Sequence, residues 1–177
     1  DDDNGADASV TLEDGHGDTR YDFPTLVFGP DASQETLYSE VAAPLASRFW
    51  DASNPQSVFL FAYGQTGTGK THTLMGPEES WNTVRHPQWG IFPRVVDATL
   101  TEMRSRDATE AYSLHVSAVE FYFCTCFDLL DDHKLCLVEA GEPIGRRQVE
   151  VRSAEDVLAL MAVVREKRTT RVTKMNP

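Results

Sequence analysis

An octet rich in glycine, Gly64-Gln65-Thr66-Gly67-Thr68-Gly69-Lys70-Thr71, follows directly on the apolar run SVFLFAY at residues 57–63. Its spacing, G-x-x-x-x-G-K-[ST], constrains this chain more than any other feature, because it calls for a strand, a tight loop and a helix in that order. Glycines let successive backbone N–H groups converge on one phosphate chain, where a Cβ would block both the backbone conformation and the close approach. The helix predicted from Lys70 to Met75 adds its first N–H groups and the positive end of its dipole. Lys70 supplies a mobile positive charge for the β- and γ-phosphates of a nucleoside triphosphate, and the Thr71 hydroxyl can join the coordination of Mg²⁺. Val58–Phe61 is expected as the buried strand that feeds the loop. The competing reading, a Gly/Thr-rich surface turn, requires neither flanking element.

The length, 177 residues, suits one domain with a sizeable core. There is no apolar run long enough to span a bilayer and no basic-then-apolar leader, so a cytosolic or nuclear setting is the default expectation. Net charge is −12, and residues 1–22 hold eight acids against one base. That composition predicts an acidic, mostly disordered tail over residues 1–20, with a short strand near Val10–Leu12. An acidic body argues against nucleic-acid binding. Cys124 and Cys126 make a C-x-C pair, but no second pair or histidine cluster completes four zinc ligands; they are expected on one strand face, as core or edge cysteines.

Helices are predicted from Ser33 to Trp50, with Ser33 as N-cap and Pro44 as a kink, from Gly90 to Arg106, and from Ser153 to about Lys167. Pro77–Trp89 reads as a polar loop. Tyr112–Phe123 alternates like one strand, with His115 as an ordinary strand histidine. Turns are expected at Asp131-Asp132, Gly141 and Gly145. Strands interleaved with helices around a phosphate loop predict an α/β fold, a sheet flanked by helices.

The words around the loop are more specific than the loop. FAYGQTGTGKTHTLMG (Phe61–Gly76) resembles the nucleotide-binding segment of kinesin motor domains. VFGPDASQETLYSEVAAPL upstream, with a Gln and then a Tyr ahead of the first large helix, is similar to the same family, as are GIFPRVVDAT, SLHVSAVEFY, FDLLDD and RTTRVTKMNP downstream. The resemblance runs in the family's order over residues 21–177 and marks this as the phosphate-loop half, the N-terminal half, of a motor domain. It implies ATP and Mg²⁺ as cofactors, microtubules as the partner of the intact family, no membrane, and a cytoplasmic, cytoskeletal setting. It also implies that Gln65, Thr66, Gly67, Thr68, Gly69, Lys70, Thr71 and His72 form the phosphate and adenine-side contacts, with His72 bordering the base. Read without the family, His72 is an ordinary first-turn helix residue.

Departures from the family pattern bear on mechanism. Residues 1–22 hold no Arg-x-Arg-Pro segment, which in the family packs on the adenine. The family's I-Y-N-E words become Phe121-Tyr122-Phe123-Cys124. Neither the Ser-Ser-Arg of the first switch nor the Asp-Leu-Ala-Gly of the second occurs up to Pro177. The expectation is therefore weak nucleotide binding with little hydrolysis, and no catalytic residue is assigned within these 177 residues. Arg146 and Arg147 form a basic turn that the resemblance places against tubulin and that otherwise reads as solvated. The alternative function is a non-motor nucleotide-binding or interaction module with a retained phosphate loop. A small-metabolite kinase is disfavoured by the lack of an acceptor lid or arginine cluster.

Overall fold

The computed structural model describes residues 8–14, 17–23, 25–51, 53–106 and 111–175. Strands β1 (Ala8–Asp14) and β2 (Gly17–Phe23) form an antiparallel hairpin in which Val10 faces Tyr21 and Thr11 faces Arg20. This corrects the disordered tail expected over residues 1–20, as far as it is described. The short strand near Val10–Leu12 is present but longer, and the boundary placed after residue 20 falls inside β2. β-Branched and aromatic residues at Val10, Thr11, Thr19 and Tyr21 favour extended pairing despite the surrounding acids. Residues 1–7 lie outside the described residues.

The first long helix comes in three parts. Ser33 caps α1 (Gln34–Leu37), its Oγ accepting from the Thr36 N–H at 3.0 Å. A π-helical turn, Tyr38–Ala42, leads into α2 (Ala43–Phe49). Pro44 explains the wide turn. It has no N–H to donate and its ring crowds the preceding turn, so the Ala43 N–H reaches back five residues to the Tyr38 carbonyl. The kink expected at this proline is thus a π-bulge.

After α3 (Lys70–Met75), the segment Pro77–Trp89 contains a 3₁₀ turn, Glu78–Asn82, and is anchored from within. Trp81 Nε1 donates to the Met75 carbonyl at 3.1 Å, and the buried Trp89 indole donates to the Ser80 carbonyl at 3.0 Å. Gly76 and Gly90 close its neck. A Cβ on Gly90 would stand 2.5 Å from the Gly76 nitrogen, so the two backbones cross in contact.

Helix α4 (Ile91–Ser105) follows. Strand β3 (Leu114–Val116) pairs antiparallel with β8 (Val149–Val151), while β4 (Val119–Tyr122), β5 (Thr125–Asp128), β6 (Lys134–Glu139) and β7 (Glu142–Ile144) form a meander. The single strand expected over Tyr112–Phe123 is therefore split at Ser117-Ala118, because its two halves take different partners. Asp132 and His133 both have positive φ in a turn closed by Lys134 N–H to the Asp131 carbonyl, 2.9 Å. The turns expected at Asp131-Asp132 and Gly141 are in place. Helix α5 (Ala154–Met175) extends beyond the expected end at Lys167.

The core lies where α4 and α5 meet over β8. Val96 and Leu100 from α4, Val151 from β8, and Val157 and Met161 from α5 are all buried together. The four helical residues recur at helical spacing in the sequence, and their burial with Val151 fixes the helices on the β3–β8 pair.

The strand expected at Val58–Phe61 does not form. Residues 55–64 take no regular structure, and Phe59, Phe61 and Tyr63 are 89%, 85% and 95% exposed. A central strand needs neighbours for its N–H and C=O groups. Among the described strands none pairs with this segment.

Candidate functional site

The octet folds as a compact loop ahead of α3. Thr68 N–H and Oγ1 both donate to the Gln65 carbonyl, at 3.4 and 2.8 Å, closing a turn around Thr66 and Gly67. Gly67 and Gly69 adopt φ of 86° and 91°, and Gly69 is the left-handed residue from which α3 starts. A side chain at either position would be strained, which is the physical reason for glycine there. Residues Gly64 to Gly69 are exposed, and Thr71 and His72 stand exposed on the first turn of α3.

Lys70 folds back over this loop. Its Nζ donates to the Gly64 carbonyl at 2.9 Å and the Gln65 carbonyl at 2.6 Å. An ammonium has three donors, so one remains, together with the charge, for an incoming anion. The chain thus brings Gly64, Gln65, Thr66, Gly67, Thr68, Gly69, Lys70 and Thr71 into one short, solvent-facing turn. The Thr71 hydroxyl has no protein partner among the described residues, and an oxygen ligand on this side suits a hard cation such as Mg²⁺.

One contact was invisible in the sequence. Gln34, buried at the start of α1, donates through Nε2 to the His72 carbonyl at 2.7 Å and lies 3.1 Å from His72 Nδ1. Thirty-eight residues separate the two. Spacing gives no hint of such a pairing, although the Gln belongs to the family-like words before the first helix.

Elsewhere the expected features fall into structural roles. Cys124 occupies the exposed β4–β5 turn, whereas Cys126 is buried on β5 opposite Cys136. The pair expected on one strand face is therefore separated, since the turn takes one of its members. Burial, followed by the neighbouring Cys136, pushes the Cys126 thiol above its ordinary range. No group of three metal-ligating side chains exists among the described residues. Arg146 donates to the Pro143 carbonyl and, at 3.3 Å, to Ser117 Oγ, while Arg147 Nη1 donates to the Leu130 carbonyl at 3.1 Å. Arg146 thus braces its own turn and reaches Ser117, while Arg147 ties that turn to Leu130 after β5. Buried Asp128 assists by accepting from the N–H groups of Leu130 and Arg147. His115 is an exposed strand residue beside Ser113. Among the described residues no helix is long and apolar enough to cross a membrane.

A phosphate loop with this geometry, among helices packed on short sheets, defines the class: a phosphate-loop nucleotide-binding fold of the α/β type. The kinesin motor domain family matches residues 2–177, and the chain belongs to that family. It is 35% identical over 159 residues to Kinesin-like protein KIN-14M of Oryza sativa subsp. japonica, covering 85% of this chain and 13% of that protein. To Kinesin-like protein Klp61F of Drosophila melanogaster it is 34% identical over 163 residues, covering 84% of this chain and 15% of that protein. A solved structure of a fast kinesin superposes with a TM-score of 0.79 at 27% identity, over 97% of this chain and 48% of that one. The chain thus spans about half of that solved motor structure and a small share of its longer relatives.

Proposed function

We propose that this chain is the ATP-binding portion of a microtubule motor domain, with residues 64–72 as its nucleotide site. The carrying observation is the loop itself: left-handed glycines at Gly67 and Gly69 and the Lys70 ammonium folded over the Gly64 and Gln65 carbonyls. Backbone N–H groups of the loop would hold the phosphates, Lys70 would exchange a loop carbonyl for a phosphate oxygen, and Thr71 would ligate Mg²⁺. His72 would border the base. Magnesium, when bound, neutralises phosphate charge; the residues of this chain position the phosphates beneath it.

Hydrolysis also needs an aimed water and groups that sense the γ-phosphate. Residues 1–177 hold no Ser-Ser-Arg or Asp-Leu-Ala-Gly sequence to supply them. The isolated 177-residue chain should therefore bind ATP–Mg²⁺ weakly and turn it over at close to the background rate, with or without microtubules. Titration calorimetry with ATP–Mg²⁺ tests the binding. Lys70→Ala should weaken it by about tenfold or more, the worth of a charge-assisted contact. Equal affinity in parent and variant would remove the assignment. Microtubules as partner and a cytoskeletal setting are proposed from family membership.

A further inference from the structure

Gln34 does more than fill space at the start of α1. Its Nε2 sits 2.7 Å from the His72 carbonyl oxygen, and an oxygen can only accept there. The amide orientation is fixed by that contact, since turning it over would set two oxygens face to face. It is fixed even though Gln34 Oε1 is left buried without a donor among the described residues. The second Nε2 hydrogen then serves His72 Nδ1 at 3.1 Å. A ring nitrogen that receives a hydrogen carries none, so the neutral imidazole of His72 bears its own hydrogen on Nε2.

We propose that Gln34 is a positioning residue of the nucleotide site. It locks the His72 ring into one tautomer and one orientation, so that Nε2–H is offered as a donor to an acceptor nitrogen of a nucleotide base. This rests on the base lying beside His72 as proposed above; the tautomer itself does not. The same amide holds the His72 carbonyl, which also accepts from the Gly76 N–H at 2.9 Å at the end of α3. Gln34 therefore ties the start of α1 to the helix that carries Lys70 and Thr71. Its effect falls on the base side of the ligand, because the amide contacts only the ring and carbonyl of His72 and reaches neither Lys70 nor Thr71.

Ring ¹⁵N spectra of the 177-residue chain read the tautomer directly. The parent should show a bare Nδ1 and a protonated Nε2 on His72. Gln34→Glu offers the ring only acceptors and loses the bond to the His72 carbonyl, so it should place a hydrogen on Nδ1, with Nε2–H kept or lost, a change that a merely structural role would not produce. Calorimetry then compares ATP–Mg²⁺ with inorganic tripolyphosphate. Gln34→Leu should weaken ATP about fivefold to tenfold, the loss of one oriented hydrogen bond, and leave tripolyphosphate unchanged. A parent hydrogen on Nδ1, an unmoved tautomer in Gln34→Glu, or equal weakening of both ligands would each overturn the proposal. If the parent binds neither ligand, the nucleotide reading fails and the proposal falls with it, while the spectra still show whether Gln34 orders the ring. If Gln34→Leu does not fold, the parent spectrum and Gln34→Glu decide.

Discussion

Phe123 and Ala140 are among the described residues that hold left-handed backbone conformations disfavoured by their side chains. Phe123 turns from β4 into β5 with φ of 50°, where the family's word has Asn, and Ala140 turns from β6 into β7 with φ of 49° ahead of Gly141. Asn tolerates this region and Asn-Gly is a preferred two-residue hairpin turn. Ala140→Asn should raise stability by about 1 kcal/mol, read as a higher urea midpoint at unchanged slope. Phe123→Asn should gain less. The phenyl ring meets Tyr122 edge-on at 4.6 Å, and losing that contact offsets part of the relief. Thiol chemistry separates the cysteines in the same way. Exposed Cys124 should alkylate first at neutral pH, and Cys126 only after unfolding, as mass spectrometry of a timed reaction would show. The raised Cys126 pKa gives its sign to stability as well. As pH rises through the ordinary thiol range the unfolded chain ionises before the folded one, so stability declines there. At this scale the turn around Lys70 was legible because it is local to eight consecutive residues, whereas the hold of Gln34 on His72 was not, because it crosses between helices.

Helix α5 begins with a reciprocal cap. Ser153 Oγ accepts from the Asp156 N–H at 3.3 Å, and Asp156 Oδ2 accepts from the N–H groups of Ser153 and Arg152 at 3.0 and 2.8 Å. Ser153→Ala should cost about 1 kcal/mol in thermal unfolding. This start was legible, since a cap is a short-range pattern. The loop between α3 and α4 was legible only as a loop. Its anchoring depends on two indoles finding carbonyls and on two glycines meeting across thirteen residues. Gly90→Ala drives a methyl into the backbone of Leu74 and Gly76 and should destabilise by about 3 kcal/mol, at the severe end for a small substitution. A loss under 0.5 kcal/mol would show that this neck is not the fixed point it appears.

Across the whole molecule the most consequential surface is the segment leading into the phosphate loop. Phe59, Phe61 and Tyr63 stand exposed, and the exposed Phe121 and Phe123 add to the apolar surface on β4 and its turn. Extended, unpaired apolar backbone recruits other chains. The 177-residue chain should self-associate at micromolar concentration in sedimentation velocity. Replacing Phe59 and Phe61 together by Ser should return it towards monomer without lowering the transition of the α4–α5–β8 core. Strict monomers of the parent would contradict this.

The sequence alone determined what is local: the glycines and lysine of the phosphate loop, the helix starts at Ser33 and Ser153, the turns at Asp131-Asp132 and Gly141, and the family itself. Each is set by neighbours within a few residues, where backbone sterics and short hydrogen bonds decide. Three-dimensional packing settled that Val58–Phe61 finds no strand partner among the described residues, that Tyr112–Phe123 divides between two sheets, and that Gln34 grips His72. Those outcomes depend on which distant groups supply a partner, and a hydrogen bond or a buried face has no direction until that partner is in place.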